Sequence, residues 1–188
     1  MCKETAVGGE IAASNAISTT TTGTAATNIN ANLNAGVGGI LVKSAGRIAT
    51  SASASVAAPR SITTNSGPIT LWTTGDAGGV TLNNYVHLNS NSSGAGGADI
   101  TIGGGSADVN DASIPGGNAV SNANSGIILG TSNVDQIVRI SAGTGDVVIR
   151  GESTTSSASR SGIDMVAGVK ITGGTVDLFG KANNPSTT

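Results

Sequence analysis

The stretch that decides the fold is Gly97–Gly105, with the sequence GADITIGGG. Ile100 and Ile102 flank Thr101, so an extended chain directs the two isoleucines to one face and the threonine to the other. Glycine stands on both sides of this triplet, and such residues bound short strands. The stretch therefore predicts a brief β-strand with one apolar and one polar face, entered and left through tight turns.

The same pattern of two apolar residues around a third residue recurs along the chain. The middle residues include threonine, histidine, lysine and aspartate, so one face of each strand is expected to be wet and the other dry. The only helical candidate of note, Lys3–Ala16, is interrupted by Gly8-Gly9. The further triplets are Ile69–Leu71, Val80–Leu82, Val86–Leu88, Val147–Ile149, Val169–Ile171 and Val176–Leu178.

A glycine followed by one or two small or polar residues precedes several of these triplets. The glycines are Gly67, Gly97, Gly145 and Gly174, which are 30, 48 and 29 residues apart. Irregular repeats of this kind are typical of a solenoid whose turns carry loops of different length. Asn-Gly and Asp-Gly pairs, the best signals for antiparallel hairpins, are absent from the sequence, which disfavours a sandwich.

Composition points the same way. Aromatic residues make up only 2% of the chain, so the core must be filled by Val, Ile, Leu and Ala and is expected to be thin. We predict an all-β fold, a parallel β-helix (β-solenoid), with the repeat region at residues 36–182. Residues 1–35 are expected to form irregular N-terminal turns and residues 183–188 a tail. With roughly 20 residues per turn, about nine turns would stack.

Charge and cysteine content narrow the function. The net charge is −2 and the charged fraction 11%, so nucleic acid is not an expected partner. The one cysteine, Cys2, can form no internal disulfide. No run of about 18 apolar residues is present that could cross a bilayer as a helix.

At its repeats the chain resembles the filamentous-haemagglutinin-like large exoproteins, the adhesins of the two-partner secretion type. The resemblance covers about residues 36–182 and implies a right-handed parallel β-helix. It also implies export through an outer-membrane transporter, a secreted or outer-membrane-associated cell-surface location, and a role as adhesin or stalk. The partner would be a host or neighbouring-cell surface or a carbohydrate. The segments that carry the resemblance are Asn65–Trp72, Gly97–Gly105, Gly145–Gly151 and Gly173–Gly180.

No enzyme is predicted. His87 is the only histidine, and it lies between Val86 and Leu88, where it is expected to be a solvated surface residue. Asp108–Asp111 begins like a calcium loop, but Ala112 and Ser113 replace the next ligand and the glycine, so we favour a plain polar loop. Catalytic residues, metal ligands and cofactors are therefore not assigned.

Three residues form a candidate ligand-binding set: Trp72, Tyr85 and His87. The alternation that turns Ile69 and Leu71 inward turns Trp72 outward or to a corner, where an exposed ring could stack on a sugar or mark an interface. Alternatively, Trp72 lies over a side loop. In either case Trp72→Ala is expected to change folding little.

Two other functions remain open. β-Helical carbohydrate-active enzymes, such as polysaccharide lyases, share the predicted fold, but they need clustered carboxylates or basic groups, whereas Asp146, Asp164 and Asp177 are dispersed. An ice- or surface-binding solenoid would need regular Thr-x-Thr arrays, and only irregular threonine pairs occur. Open strand edges at both ends of a solenoid would also invite end-to-end self-association.

Overall fold

The fold consists of strands and irregular connections in the part of the chain that is described. The structure is a computed structural model of the 188-residue chain. It describes residues 10–51, 54–55, 57–75, 78–94, 96–105, 117–130, 137–155, 160–165 and 168–182. The strands, in chain order, are β1 (Glu10–Ala13), β2 (Ala16–Thr21), β3 (Thr27–Ile29), β4 (Asn32–Ala35), β5 (Gly39–Ser44), β6 (Ile48–Thr50), β7 (Arg60–Thr64), β8 (Ile69–Thr73), β9 (Val80–Leu82), β10 (Val86–Asn89), β11 (Ile100–Gly104), β12 (Ala119–Ser121), β13 (Ile127–Leu129), β14 (Arg139–Ser141), β15 (Val147–Ser153), β16 (Ile163–Met165), β17 (Lys170–Thr172) and β18 (Val176–Ala182).

The strands are distributed in rotation over three parallel sheets. Sheet A has the order β1-β4-β7-β10-β14-β17, and sheet C has the order β3-β6-β9-β13-β16. Sheet B runs from β2 through β5, β8, β11 and β15 to β18, with β12 beside the second half of β15. We call one passage of the chain through sheets A, B and C a rung. The prediction of an all-β fold with parallel strands is confirmed, and the arrangement is consistent with a β-helix or solenoid.

Register places like residues above one another from rung to rung. In sheet B the first inward position is aliphatic in every rung, and the inward side chains of all three sheets meet in one hydrophobic core. Burial of each large aliphatic side chain contributes about 1.5–3 kcal/mol. The core is therefore a stack of aliphatic columns, as the composition predicted. The sheet B column is Ile17, Ile40, Ile69, Ile100, Val147 and Val176.

All but one of the predicted triplets lie within strands. The exception, Val169–Ile171, begins one residue before β17, and its two apolar residues are partly buried. In β8, Ile69 and Leu71 are fully buried, and the same holds for the outer two residues of the triplets in β9, β10, β11 and β15. The triplet Val176–Leu178 also lies in a strand, β18, but both of its apolar residues are exposed because β18 is the last strand of sheet B. The alternation therefore assigned the inward face correctly, while the position in the stack decides whether that face is covered.

Two features differ from the expectation. Residues 10–35, expected to be irregular turns, contain β1 to β4, which pair in register with later strands. Sheet A contains six strands in the described residues, not the nine that turns of about 20 residues would give. The step along the chain from one rung to the next is 22 residues at Ile11 but 52 at Leu88, because corners and excursions take up chain between strands. The predicted tail, 183–188, lies outside the described residues.

The longest step contains the segment between β11 and β12, whose two ends are hydrogen-bonded to each other. The chain leaves sheet B at the end of β11 and re-enters it at β12. Gly104 and Gly117 exchange two backbone hydrogen bonds there, each 3.0 Å long, in an antiparallel bridge. The register of β12 against β15 is therefore set immediately after the Gly104–Gly117 bridge.

The corner between sheets A and B explains the glycine-plus-polar pattern of the sequence. The Asp99 carboxylate accepts the backbone N–H of Asp146 at 2.9 Å, and the Asp146 carboxylate accepts that of Thr175 at 2.8 Å. Each carboxylate thus satisfies a backbone donor of the following rung. A side chain at Gly145 would overlap the backbone carbonyl of Ala98 in the preceding rung. At this corner Gly145 allows the close approach of the preceding rung, while Asp99 and Asp146 form the ladder.

A glycine-to-alanine substitution at the corner, compared with the same substitution at an open position, tests this packing. Gly145→Ala should lower the free energy of unfolding by about 1–3 kcal/mol, because the added methyl group has no room beside Ala98. Gly23→Ala, where nothing lies within 4 Å of the added carbon, should change it by less than about 1 kcal/mol. Urea unfolding followed by circular dichroism measures both. Equal effects of the two substitutions would contradict a close-packed corner.

Candidate functional site

Outward side chains of sheet A form two parallel rows across the rungs. In the first row His87 lies between Ser61 on β7 and Arg139 on β14, and Arg139 is followed by Lys170 on β17. We call His87, Arg139 and Lys170 the basic row. Adjacent strands in a sheet are about 4.8 Å apart, so the three basic groups follow one another at close spacing. The described part of the chain shows no salt bridge of any of the three to a carboxylate.

His87, the first member of this row, is half-buried, whereas the sequence predicted a fully solvated side chain. Its neighbours Val86 and Leu88 point into the core, which leaves the imidazole on the outward face as predicted. Partial burial lowers the pKa of His87 below its ordinary value of 6.5, and the positive charge of Arg139 lowers it further. The imidazole is therefore mostly neutral at pH 7.

Tyr85 directly precedes β10 and is also partly buried. Its backbone has a φ of 57°, a left-handed conformation that is uncommon outside glycine. Its carbonyl oxygen accepts the N–H of Arg60 at 2.9 Å, which links β7 to the turn before β10. The structure thus places Tyr85 two residues from His87, at the turn into the same strand.

The second row of sheet A is polar and partly hydrogen-bonded from rung to rung. Within the row, the Thr63 hydroxyl donates to Asn34 at 3.4 Å. The Asn34 amide donates diagonally at 3.1 Å to Glu10, which lies opposite Asn32 and outside this row. Such side-chain ladders stabilise stacked parallel strands. In register, the row consists of Ala12, Asn34, Thr63, Asn89, Ser141 and Thr172.

Trp72 lies on the outward face of sheet B but is buried. Only 2% of its surface is exposed, so the expectation of an exposed ring is wrong. Lys43, directly opposite Trp72 on β5, places Nζ 3.8 Å from the ring centroid, a cation–π contact worth about 0.5–2 kcal/mol. The indole N–H donates to the carbonyl oxygen of Gly105 at 3.4 Å. The opposite neighbour on β11 is Gly103, which has no side chain and leaves room beside the ring.

The three candidate ligand residues do not form one site. Tyr85 directly precedes β10 and His87 lies on the outward face of sheet A, whereas Trp72 is covered on sheet B. Sequence reasoning missed Arg139 and Lys170 as neighbours of His87. Only the strand register aligns them, because the chain separates them from His87 by 52 and 83 residues.

The remaining chemical candidates stay dispersed. Asp177 pairs with Arg150 at 3.1 Å, and Glu152 pairs with Lys181 at 2.8 Å, both on the outward face of sheet B. Asp108–Asp111 lies outside the described residues. Among the described residues, no three His, Cys, Asp or Glu side chains come close enough to share a metal ion. No helix in the same residues is long and apolar enough to cross a membrane.

Comparison with known proteins found no match: neither a family model, nor a curated protein, nor a solved structure is similar to this chain.

The burial of Trp72 reverses the effect expected of its removal. Trp72→Ala should lower the free energy of unfolding by about 3–5 kcal/mol, the usual cost of truncating a buried tryptophan. Phe179→Ala, at a residue that is 49% exposed, serves as the aromatic control and should cost far less. Denaturant unfolding distinguishes the two, and a Trp72 variant as stable as the Phe179 variant would show that the ring is not covered.

The single histidine allows a direct test of the basic row. NMR titration of the His87 ring protons should give a pKa below 6.5, and Arg139→Gln should raise it by removing the nearby positive charge. Arg47→Gln, at an exposed residue before β6, should leave it unchanged. Because the unfolded chain binds this proton more readily, stability should fall as the pH drops through about 6.5. A pKa at or above 6.5 would contradict the arrangement.

Proposed function

We propose that this chain is a right-handed parallel β-helix that serves as a structural repeat module of a secreted or cell-surface adhesin, where it mediates or supports cell adhesion. The observation that carries the proposal is the rotation of strands through three parallel sheets in constant register around one aliphatic core. Such a stack can be extended rung by rung, because each rung contacts only its neighbours. This suits a protein that must hold a binding surface away from a cell.

A general property of parallel strands supports the right-handed sense of the proposed coil. A connection between two parallel strands of one sheet is right-handed in about 98% of cases, because of the twist of the strands. Each strand of sheet A is joined to the next by a connection that passes through sheets B and C. The same handedness is implied by the resemblance to filamentous-haemagglutinin-like exoproteins.

The proposed contact surface is the outward face of sheet A. Arg139 and Lys170 of its basic row offer positive charge at a strand-to-strand spacing. Beside that row, Asn89, Ser141 and Thr172 offer amide and hydroxyl groups. Groups of this kind hydrogen-bond to sugar hydroxyls and carboxylates. We therefore propose that a carbohydrate on a host or neighbouring-cell surface binds at this face. Export through an outer-membrane transporter is proposed from the family resemblance.

The two alternatives differ in what they require of the outward faces. An ice-binding solenoid would need repeated threonine columns. The second row of sheet A instead contains alanine, asparagine, threonine and serine in no regular order. A polysaccharide lyase would cleave uronic-acid polymers, so release of unsaturated products from pectin would favour that function. In the proposed role the chain performs no catalysis.

Adhesion by coated beads tests the proposal. Beads coated with the folded chain should bind monolayers of cultured epithelial cells, and the double variant Arg139→Ala/Lys170→Ala should bind severalfold less. The matched control, Arg47→Ala/Arg160→Ala, removes two charges before strands of sheet C and should bind like the unsubstituted chain. Binding no better than that of albumin-coated beads would rule out an adhesive role for this chain.

A further inference from the structure

The three sheets differ in how much of their outward face is accessible. On sheet B the outward side chains of Lys43, Trp72 and Thr101 are buried. On sheet C the same holds for Ala49 and Thr81. On strands β7, β10, β14 and β17 of sheet A, by contrast, every outward side chain is partly or fully exposed. Sheet A is therefore the face on which a ligand can lie across several successive strands.

Charge on this part of sheet A is of one sign. The outward positions of the four strands carry hydroxyl, amide and basic side chains, and none of these strands contains a carboxylate. The first carboxylate in line with the basic row is Glu10 on β1, three strands before His87. An anion that approaches the basic row therefore meets no negative charge from the strands that carry it.

Uncharged polar groups accompany each basic side chain. Two residues after every member of the basic row, the same strand turns an amide or hydroxyl group outward, as Asn89 does after His87. Ser141 and Thr172 occupy the equivalent positions on β14 and β17. Amides and hydroxyls hydrogen-bond to other hydroxyl groups, whereas the basic side chains bind carboxylates. An acidic polysaccharide offers both kinds of group in every repeat.

The spacing of the basic groups selects among acidic polysaccharides. Members of the basic row lie on adjacent strands, about 4.8 Å apart, so each rung offers one basic group. An extended polysaccharide advances by a similar length per sugar unit, and a uronic acid carries one carboxylate per unit. Three basic groups would leave the excess negative charge of a heavily sulfated polymer unpaired. A polyuronate therefore fits the row best.

We propose that a polyuronate binds across the strands of sheet A, with successive carboxylates at His87, Arg139 and Lys170. The polymer lies perpendicular to the strands, because the basic groups follow one another from rung to rung. Arg139 binds its carboxylate through two parallel N–H groups of the guanidinium, and Lys170 binds as a point charge. This inference rests on the contact surface proposed above and names the class of carbohydrate that the surface takes.

Binding of the polymer and protonation of His87 reinforce each other. Among the described residues, the strands beside β10 present Arg139 and Arg60 as charged groups, and the Arg60 guanidinium donates to Asn32. Tyr85, at the turn before β10, is the other titratable group nearby. Burial and the charge of Arg139 lower the pKa of His87 in the unbound chain. A bound carboxylate favours the imidazolium, so binding raises this pKa and affinity rises as the pH falls.

Oligomers of galacturonic acid test the site. Trigalacturonate added to the folded chain at pH 6 should shift the NMR signals of the His87 ring protons, and a pH titration in its presence should give a higher pKa. Fully methyl-esterified trigalacturonate has the same sugars without the charges and should do neither. Affinity should rise about threefold to fivefold per sugar unit from monomer to trimer, and little beyond, because the row spans three strands.

Substitutions locate the binding. Arg139→Gln and Lys170→Gln should each lower the affinity for trigalacturonate about threefold to fivefold, because each removes one cation from the row. His87→Gln should abolish the increase in affinity between pH 7 and pH 6. Arg47→Gln, at an exposed residue before β6, is the matched control and should bind like the unsubstituted chain. Circular dichroism checks that every variant is folded.

Three outcomes would overturn this inference: a folded chain that does not bind trigalacturonate, equal binding of the methyl ester, and binding that Arg139→Gln and Lys170→Gln leave unchanged. The bead assay separates this failure from that of the proposed function. Beads that adhere to cells through Arg139 and Lys170, coated with a chain that does not bind trigalacturonate, would keep the adhesive function and reject the polyuronate. Binding of trigalacturonate by a chain whose beads do not adhere would support the polyuronate and reject adhesion.

Discussion

The structure depends on backbone hydrogen bonding between successive rungs in a fixed parallel register. Because side chains alternate across a strand, a slip of one residue in any sheet would send its aliphatic side chains outward. The register holds where rungs differ most in length, as at Leu88 and Ile140. Columns of isoleucine and valine enforce it from inside, and the carboxylates of Asp99 and Asp146 enforce it at a corner. Polar and apolar interactions therefore specify the same alignment.

Several strands with two inward aliphatics were identified from the sequence, but β5 and β13, which also have two, were not, and weaker strands could not be. β14 was not among the predicted triplets, although Val138 and Ile140 flank Arg139 and are both buried. β1 and β2 contain mainly alanine and threonine beside Ile11 and Ile17, which read as irregular chain. These segments form strands because neighbouring rungs supply hydrogen-bonding partners, and that information is not local.

The candidate site shows the same limit. His87 could be placed on an outward face from the alternation around it, yet its neighbours across the sheet could not be named. The rung that separates it from Arg139 has a length that no local pattern predicts. The burial of Trp72 was missed for a different reason: alternation assigns a side chain to a face but does not reveal what covers that face. Lys43 and the carbonyl group of Gly105 meet the ring from distant positions in the chain.

The glycine bridge between Gly104 and Gly117 uncouples the length of the intervening segment from the architecture on either side. Strand β12 resumes its pairing with β15 from a fixed starting point, whatever the number of residues enclosed. Insertions and deletions between these two glycines are therefore expected to leave the pairing of β11 and β12 intact. For the protein engineer, the same bridge is a graft point at which a foreign peptide can be displayed.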